Sequence, residues 1–388
     1  MSNSTSSRET NDERRTILAV DFDYFYAQLE QLRKAEIKAK PIVVCVYSGR
    51  TKDSGAVSTA NYIARSLGVR SGMPIALAKK ILQKNSDAQF IPMDREYYDS
   101  ESERLMQALR SHSSRFEQVS VDEAYLDISG QTGGDFSLAK EIAIQIKDEI
   151  LQGERLTCSV GIGPNKLLAK MAVDSSKPDG LTVITPERAP EFLYPLPVGK
   201  LFGVGPKTEK KLREEGVQTI GDLANTDESV LSERFGKHLG PSLRDAARGI
   251  DHESVKERAS EQLSRIITLK RDAESFDFAG ELEPLVKDIS SRLAAMNLLC
   301  GSVSIIAITS QLKVRNRTRT LETPTNSEER IVKVTSELFV AFFEQKRQNE
   351  DVEEEKKFGL RRVGIRVSNL KEMKQILSNN STLTEYLS

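Results

Sequence analysis

Apolar positions along the chain fall into short runs, none of them long. Thr16–Phe25 (TILAVDFDYF) is apolar up to an acidic and aromatic end, which reads as a buried strand, and helical character follows near Tyr26–Lys34. Pro41–Tyr47 (PIVVCVY) is a second strand, rich in β-branched residues. Asn61–Leu67, Pro74–Gln83 and Tyr98–Ser111 have helical composition. Val119–Ile128 (VSVDEAYLDI) alternates as a strand with two acids inside it, Ala139–Leu151 has helical spacing, and Leu156–Ile162 and Gly180–Ile184 are strand-like. Strands alternating with helices predict one sheet covered by helices, an α+β domain.

The pattern changes from about 187 to 250, where short helices are punctuated by glycine (FGVGPKTEKKLREEG, then RFGKHLGPSLRDAARG). Residues 251–261 are charged and patternless, which predicts a linker. Beyond it, Ser264–Lys270, Ser302–Thr309, Asn316–Leu321 and Arg361–Ser368 read as strands, with helices over Leu282–Met296 and Ser327–Phe343, a second and smaller α+β unit. Residues 1–14 are polar and expected to be disordered, and Glu350–Lys357 reads as a solvated charged loop.

Composition narrows the classes. No apolar run approaches the roughly 18–20 residues that a membrane span needs, and the start carries no signal-peptide core. Cys45, Cys158 and Cys300 stand far apart without a CxxC pair, and there are only three histidines, so neither a disulfide framework, a structural zinc nor a His-rich metal site is expected. A cytoplasmic protein follows. The 56 Lys and Arg against 57 Asp and Glu give a formal charge of −1, which lacks the basic footprint of a nucleic-acid binder. The sum conceals local concentrations, however. Positive charge gathers at Lys207–Lys211 and Arg315–Arg319.

Four features carry chemistry. Asp21 and Asp23 sit at a strand end, and Asp122 and Glu123 inside an apolar strand. Carboxylates ~4 Å apart repel by about 4 kcal/mol at an effective dielectric near 20, so a cluster that stays ionised needs a cation. Mg²⁺ suits such oxygen ligands, and two ions would clamp an in-line phosphoryl displacement. Asp23 reads as readily as a solvated surface acid. Adjacent residues of a strand face opposite ways, so Asp122 and Glu123 require a twisted edge or a bulge to share one metal. Tyr62 and Arg65, three apart on a helix, suit phosphate oxygens, with Lys177 a third contact; an ordinary surface Tyr–Arg pair is the alternative. Gly203 and Gly205 bracket Val204 before a helix that starts near Lys207, the helix-hairpin-helix pattern whose backbone N–H groups hold phosphate without reading bases; a tight turn between packed helices is its rival. Arg315, Arg317 and Arg319 share one strand face, either for a nucleic-acid backbone or as a charged edge that blocks aggregation.

The segments VDFDYFYAQLE, VYSGRTKDSGAVSTANYIAR, SVDEAYLDIS, VGIGPNKLLAKMAVDSSKPDG and LFGVGPKTEKKL together resemble the motif series of Y-family translesion DNA polymerases, closest in pattern to the DNA polymerase IV branch and its archaeal members. The resemblance runs from about Thr16 to Ser368. It implies a right-hand α+β architecture: a leader over 1–15, a ferredoxin-like palm over 16–26 and 92–186, small fingers over 27–91, a helical thumb with the helix-hairpin-helix over 187–250, a linker over 251–261, an α+β little finger over 262–370 and a tail over 371–388. It also implies that Asp21, Asp122 and the Phe22 carbonyl bind two Mg²⁺ ions, with Glu123 as the catalytic carboxylate at the same metals. Tyr26 is then the steric gate against a ribose 2′-hydroxyl. Phe25, Tyr26, Thr59, Tyr62, Arg65 and Lys177 bind the incoming dNTP, and Ala56 and Ser58 roof the nascent base pair. Gly203, Gly205, Lys207, Arg315, Arg317 and Arg319 contact primer-template DNA.

Leu383, Tyr386 and Leu387 have the anchor spacing of a sliding-clamp peptide, with Asn380 where glutamine is usual. The function implied is monomeric, low-fidelity, low-processivity synthesis across damaged templates. Two other readings are a non-catalytic DNA-binding scaffold of the same fold and a nucleotidyl cyclase. The complete set of acids and triphosphate contacts speaks against the first, and the glycine hairpin with the second unit against the other.

Overall fold

The computed structural model describes residues 15–257, 261–273, 278–348 and 359–373. The polar leader, the charged run at 350–357 and the tail peptide with Leu383, Tyr386 and Leu387 lie outside the described residues. Two compact units divide the chain, Met1–Val46 with Ala56–Arg258 and Tyr47–Gly55 with Ala259–Ser388.

The first unit is organised by β1 (Ile17–Phe22), all six of whose residues are buried. A strand covered on both faces reads as a continuous apolar run. It pairs antiparallel with β6 (Glu123–Asp127) and β7 (Cys158–Gly163), and β5 (Arg115–Gln118) and β8 (Leu181–Val183) complete the order β5-β6-β1-β7-β8. Leu18, Val20 and Phe22 face a core built with helices Arg95–Arg110 and Phe136–Glu154. Ile17 and Ala19 face the opposite way, onto Ala169 and Val173 of helix Lys166–Ser176. Asp21 follows in that same alternation.

Helix Lys166–Ser176 is buried over eight consecutive residues, because its other side, Leu167, Leu168 and Met171, belongs to a second core with Leu193, Leu201, Val204 and Leu212. That core gathers the short helices Pro206–Glu214, Ile220–Asn225, Glu228–Phe235 and Leu239–Ala247. The helix lies so close to β7 that a Cβ on Gly161 would stand 2.1 Å from the Ala169 carbonyl oxygen, and one on Gly163 2.6 Å from the Ala169 nitrogen.

Two expectations are corrected. Val119–Ile128 is not one strand: Val119–Asp122 is a bend, and β6 begins at Glu123. The region after Pro41 holds, besides the expected strand and the expected helices Tyr62–Ser66 and Ile75–Ile81, two strands that the pattern did not predict: β2 (Ile42–Tyr47) pairs with β3 (Gly55–Ala60) and runs parallel to β4 (Gln89–Pro92) in a three-stranded sheet. The small, polar sequence GAVSTA hides β3 from any apolar pattern.

The stretch after Ile250 has no regular element through residue 257, yet it is fastened along the first unit. Val255 is buried with Tyr125 and Val173, Asp251 accepts a hydrogen bond from the Leu167 N–H at 3.1 Å, and Lys166 bridges Glu253 and the buried Glu117 at 2.9 and 3.0 Å.

The second unit contains β9 (Gln262–Ala273), β10 (Leu298–Thr309), β11 (Val314–Thr325) and β12 (Leu360–Glu372) in the antiparallel order β11-β10-β12-β9. Helices Glu283–Ala295 and Glu328–Gln348 cover the face bearing Val303, Ile305, Val363 and Ile365. Among the described residues no helix is long and apolar enough to cross a membrane, and all three cysteines are free and buried.

The packing at β7 yields a paired prediction. Gly161→Ala forces a methyl against backbone and is expected to destabilise the protein by about 2–3 kcal/mol. Gly153→Ala, in a helix with nothing within 4 Å of the new methyl, is expected to stabilise by about 0.5–1 kcal/mol. Urea denaturation of both variants against the parent measures the contrast.

Candidate active site

The register of the central strands assembles the site. Asp21 is directly opposite Glu123 on β6 and Ser159 on β7, and the Phe22 N–H donates to the Asp122 carbonyl at 2.8 Å. Because the chain bends before β6, Asp122 and Glu123 escape the opposed orientation of neighbours within a strand. The Asp122 carboxylate accepts from the Ser120 hydroxyl at 2.6 Å. Burial pushes its pKa up, the Ser120 hydrogen bond opposes that, and the Asp21 charge adds to the rise. Glu123 is also raised by burial, with Lys170 acting against the shift.

Two lysines reach into this acidic site. Lys170 Nζ lies 3.1 Å from Asp21 Oδ2 and 2.9 Å from Glu123 Oε1, and Lys177 Nζ lies 2.5 Å from the same Asp21 oxygen. Burial works to lower the pKa of Lys170, and the charges of Asp21, Glu123 and Asp174 overcome it, so that its ammonium is held well above the ordinary lysine range. Among the described residues no three acids converge into a ready metal cage. The donor chemistry nevertheless fits a divalent cation: ionisable carboxylates on adjacent strands beside a backbone carbonyl, hard oxygens whose mutual repulsion is relieved here by ammonium groups.

Asp23 is not a solvated surface acid. It is 1% exposed, and its carboxylate accepts from Thr157 Oγ1 at 2.9 Å, Ser159 Oγ at 2.8 Å and the Asp179 N–H at 2.9 Å. It thereby anchors the turn that follows Lys177, while Gln28 ties the Asp23 carbonyl to Thr157.

The aromatic residues on either side of Asp23 form a packed series. Phe22, Phe25 and Tyr26 follow at ring separations of 5.9 and 5.6 Å, and Tyr26 stacks on Tyr98 at 4.5 Å with 24° between planes. Tyr98 is itself buried, and its hydroxyl donates to the buried Glu30 at 2.9 Å. Tyr62 meets Tyr24 edge-on at 5.3 Å and carries the Arg65 guanidinium over its ring at 4.9 Å. Arg65 also donates to the Ala60 carbonyl at 2.7 Å and to Thr59 Oγ1 at 3.4 Å. Burial raises the pKa of Tyr62, with Asp23 adding to the rise and Arg65 opposing it. Ala56 and Ser58 are alternate, half-buried positions of β3.

In the helical part, Gly203 holds φ +91, Val204 is buried, and Gly205 precedes a helix with proline at its start; Lys207 is exposed. Arg315, Arg317 and Arg319 share a face, as alternation requires. Their ladder partners are the core residues Ala307, Ile305 and Val303, so the arginines lie on the helix-bearing side, where Arg319 pairs with Glu337. The sequence reading missed Lys170, Ser120 and the Tyr98–Glu30 support. One signal was present: Lys170 interrupts the apolar run Leu167–Val173, with Asp174 and Lys177 four and seven residues further on.

Three family models match the chain: the impB/mucB/samB family over residues 20–174, the thumb domain of DNA polymerase-iota over 199–251, and the impB/mucB/samB family C-terminal domain over 260–379. DNA polymerase IV of Methanosarcina acetivorans is 45% identical across 93% of this chain and 97% of that protein. DNA polymerase IV of Nitrosopumilus maritimus is 42% identical over the same shares. Among solved structures, a Y-family DNA polymerase chimera of Dbh and Dpo4 superposes with a TM-score of 0.83 at 35% identity, covering 92% of this chain and 99% of the chimera. An insertion ternary complex of Dbh DNA polymerase gives 0.69 at 35% identity with the same coverage. The chain therefore belongs to the impB/mucB/samB family, the Y-family DNA polymerases, and within it to the DNA polymerase IV group.

Proposed function

We propose that this protein is a template-directed DNA polymerase of the translesion type, adding deoxynucleotides to a primer 3′ end opposite damaged as well as intact bases. The observation that carries the reading is the register that sets Asp21 against Glu123 with Asp122 in the bend beside them, next to Tyr62, Arg65 and Lys177. In the reaction the primer 3′-hydroxyl attacks the α-phosphorus of a bound dNTP and pyrophosphate leaves.

The polymerase depends on divalent metal. Asp21, Asp122, Glu123 and the Phe22 carbonyl would hold two Mg²⁺ ions, which supply charge stabilisation for the attacking and leaving oxygens. The chain's own groups position the reactants. Arg65 and Tyr62 hold the β- and γ-phosphates, with Thr59 beside them. Lys177 takes a phosphate oxygen by leaving the Asp21 oxygen that it occupies in the free protein, an exchange its partly exposed position allows. Phe25 and Tyr26 line the sugar, the Tyr26 ring filling the space a 2′-hydroxyl would need. Ala56 and Ser58 leave room over the template base. Positioning and electrostatics of this kind supply most of the catalysis in phosphoryl transfer.

Primer-template DNA is held by the N–H groups around Gly203 and Gly205, by Lys207, and by the strand of Arg315, Arg317 and Arg319. Contacts to so few phosphates make a salt-sensitive, modest grip and hence low processivity. The enzyme works as a cytoplasmic monomer, and Leu383, Tyr386 and Leu387 recruit a sliding clamp.

Asp122→Ala and Glu123→Ala are each expected to lower single-turnover primer extension at least about 10³-fold while DNA affinity stays within roughly twofold. Near-parental extension by either variant rejects the metal assignment. Tyr26→Ala is expected to bring the rate with rNTPs within about tenfold of that with dNTPs, and unchanged selectivity rejects the gate. Removing residues 380–388 is expected to leave unassisted extension unaltered and abolish its stimulation by the clamp.

A further inference from the structure

Lys170 is the most deeply buried cation of the site, and the triphosphate contacts do not use it. Its side chain is 9% exposed, against 25% for Lys177. Besides Asp21 and Glu123, its Nζ faces Asp174 Oδ1 at 3.5 Å. A lysine side chain normally carries its ammonium out to water. Here both flanks of the helix are fixed, Ala169 and Val173 on the sheet and Leu168 and Met171 in the second core. The ammonium is therefore committed to the carboxylates, whereas Lys177, in the turn at the helix end, has room to exchange partners.

We propose that Lys170 is a positioning residue, the resident counter-cation of Asp21 and Glu123. It holds the two carboxylates directed at a common point without metal, and it weakens divalent-cation binding until nucleotide is present. The proposal rests on the assignment of Asp21, Asp122 and Glu123 as metal ligands. A divalent ion that binds Asp21 and Glu123 must compete for their oxygens with an ammonium already held beside them. Like charges in a half-buried site repel far more than in water, so the free protein holds such an ion loosely. A bound triphosphate adds negative charge and draws Lys177 off Asp21, which removes part of that opposition. Deleting the Lys170 charge leaves Glu123 without its ammonium and Asp21 with Lys177 alone, so metal becomes a more strongly favoured source of compensation.

Full-length protein carrying Lys170→Met or Lys170→Arg tests this with Mn²⁺ alone as the probe, followed by calorimetry without nucleotide or DNA. Thermal melting in EDTA and in Mg²⁺ is read alongside. Lys170→Met is expected to bind Mn²⁺ at least about tenfold tighter than the parent. It is expected to melt lower in EDTA and to recover most of that loss in Mg²⁺, and Lys170→Arg is expected to stay near the parent in both measurements. Combining Glu123→Ala with Lys170→Met removes the gained affinity. Lys170→Gln, which keeps hydrogen-bonding capacity without charge, serves if the methionine variant does not fold. Unchanged or weaker Mn²⁺ affinity, with the same melting loss in EDTA and in Mg²⁺, would overturn the proposal and reduce Lys170 to a packing role. Absence of Mn²⁺ binding in both parent and Lys170→Met would overturn the metal assignment itself, which extension by Asp122→Ala checks separately.

Discussion

The close contact between helix Lys166–Ser176 and β7 governs the arrangement of the site. Gly161 and Gly163 leave the strand without side chains where the helix backbone rests, so the helix sits nearer the sheet than any other residues there would permit. Lys170 reaches Asp21 and Glu123 only because of that approach. Asn165 caps the helix with a hydrogen bond to the Leu168 N–H at 2.9 Å and donates to the Gly249 carbonyl at 2.8 Å, which joins the helix start to the helical part of the unit. One element thus serves two cores and carries one of the site's charges. A displacement of a few tenths of an ångström at β7 would be felt at the carboxylates, since close-packed interiors transmit strain.

The electrostatics follow from that geometry. Three acids at the end of a buried sheet would be untenable alone, because burial already raises Asp122 and Glu123 toward neutrality. Two lysines from one helix and the turn after it supply the balance, one fixed and one exchangeable. Asp23 completes the design from below. Its three hydrogen bonds fasten the Asp179 end of the turn to β7 and Thr157, so Lys177 moves on a rigid base.

The elements with strong periodicity were legible in the sequence. The apolar run of β1, the helix over Ala139–Leu151 and the four strands of the second unit appear where the pattern puts them, within the few residues by which such boundaries shift. The losses have physical causes. β3 is built of small residues, and β4 is only four residues long, so neither shows a hydrophobic period. Val119–Asp122 has strand-like composition but bends, because Ser120 turns back to hydrogen-bond the next acid. Net charge was misleading about nucleic acid, since acids and bases are segregated along the chain rather than mixed. Lys170 was missed because a lysine in an apolar helix is ordinarily solvated; only the spacing to Asp174 and Lys177 marked it. The shared face of Arg315, Arg317 and Arg319 was foreseeable from alternation. Which side of the sheet it occupies depends on the cross-strand register, which sequence does not display.

The two sides of the proposed nucleotide pocket differ in their support, and the proposed roles of Tyr26, Ala56 and Ser58 draw on that difference. On the sugar side, Tyr26 is backed by Tyr98, whose hydroxyl is fixed by Glu30, and Glu30 is held in turn by Arg33 at 3.2 Å. Arg33 also pairs with Asp94 at 2.9 Å, the residue that caps helix Arg95–Arg110, so the ring rests on a chain of fixed groups. A ring so supported cannot yield to one extra hydroxyl. On the base side, Ala56 and Ser58 offer little bulk and belong to a short sheet of three strands. Rigid exclusion at the sugar needs no closure around the base, so the same pocket can reject ribose while leaving an altered template base unopposed.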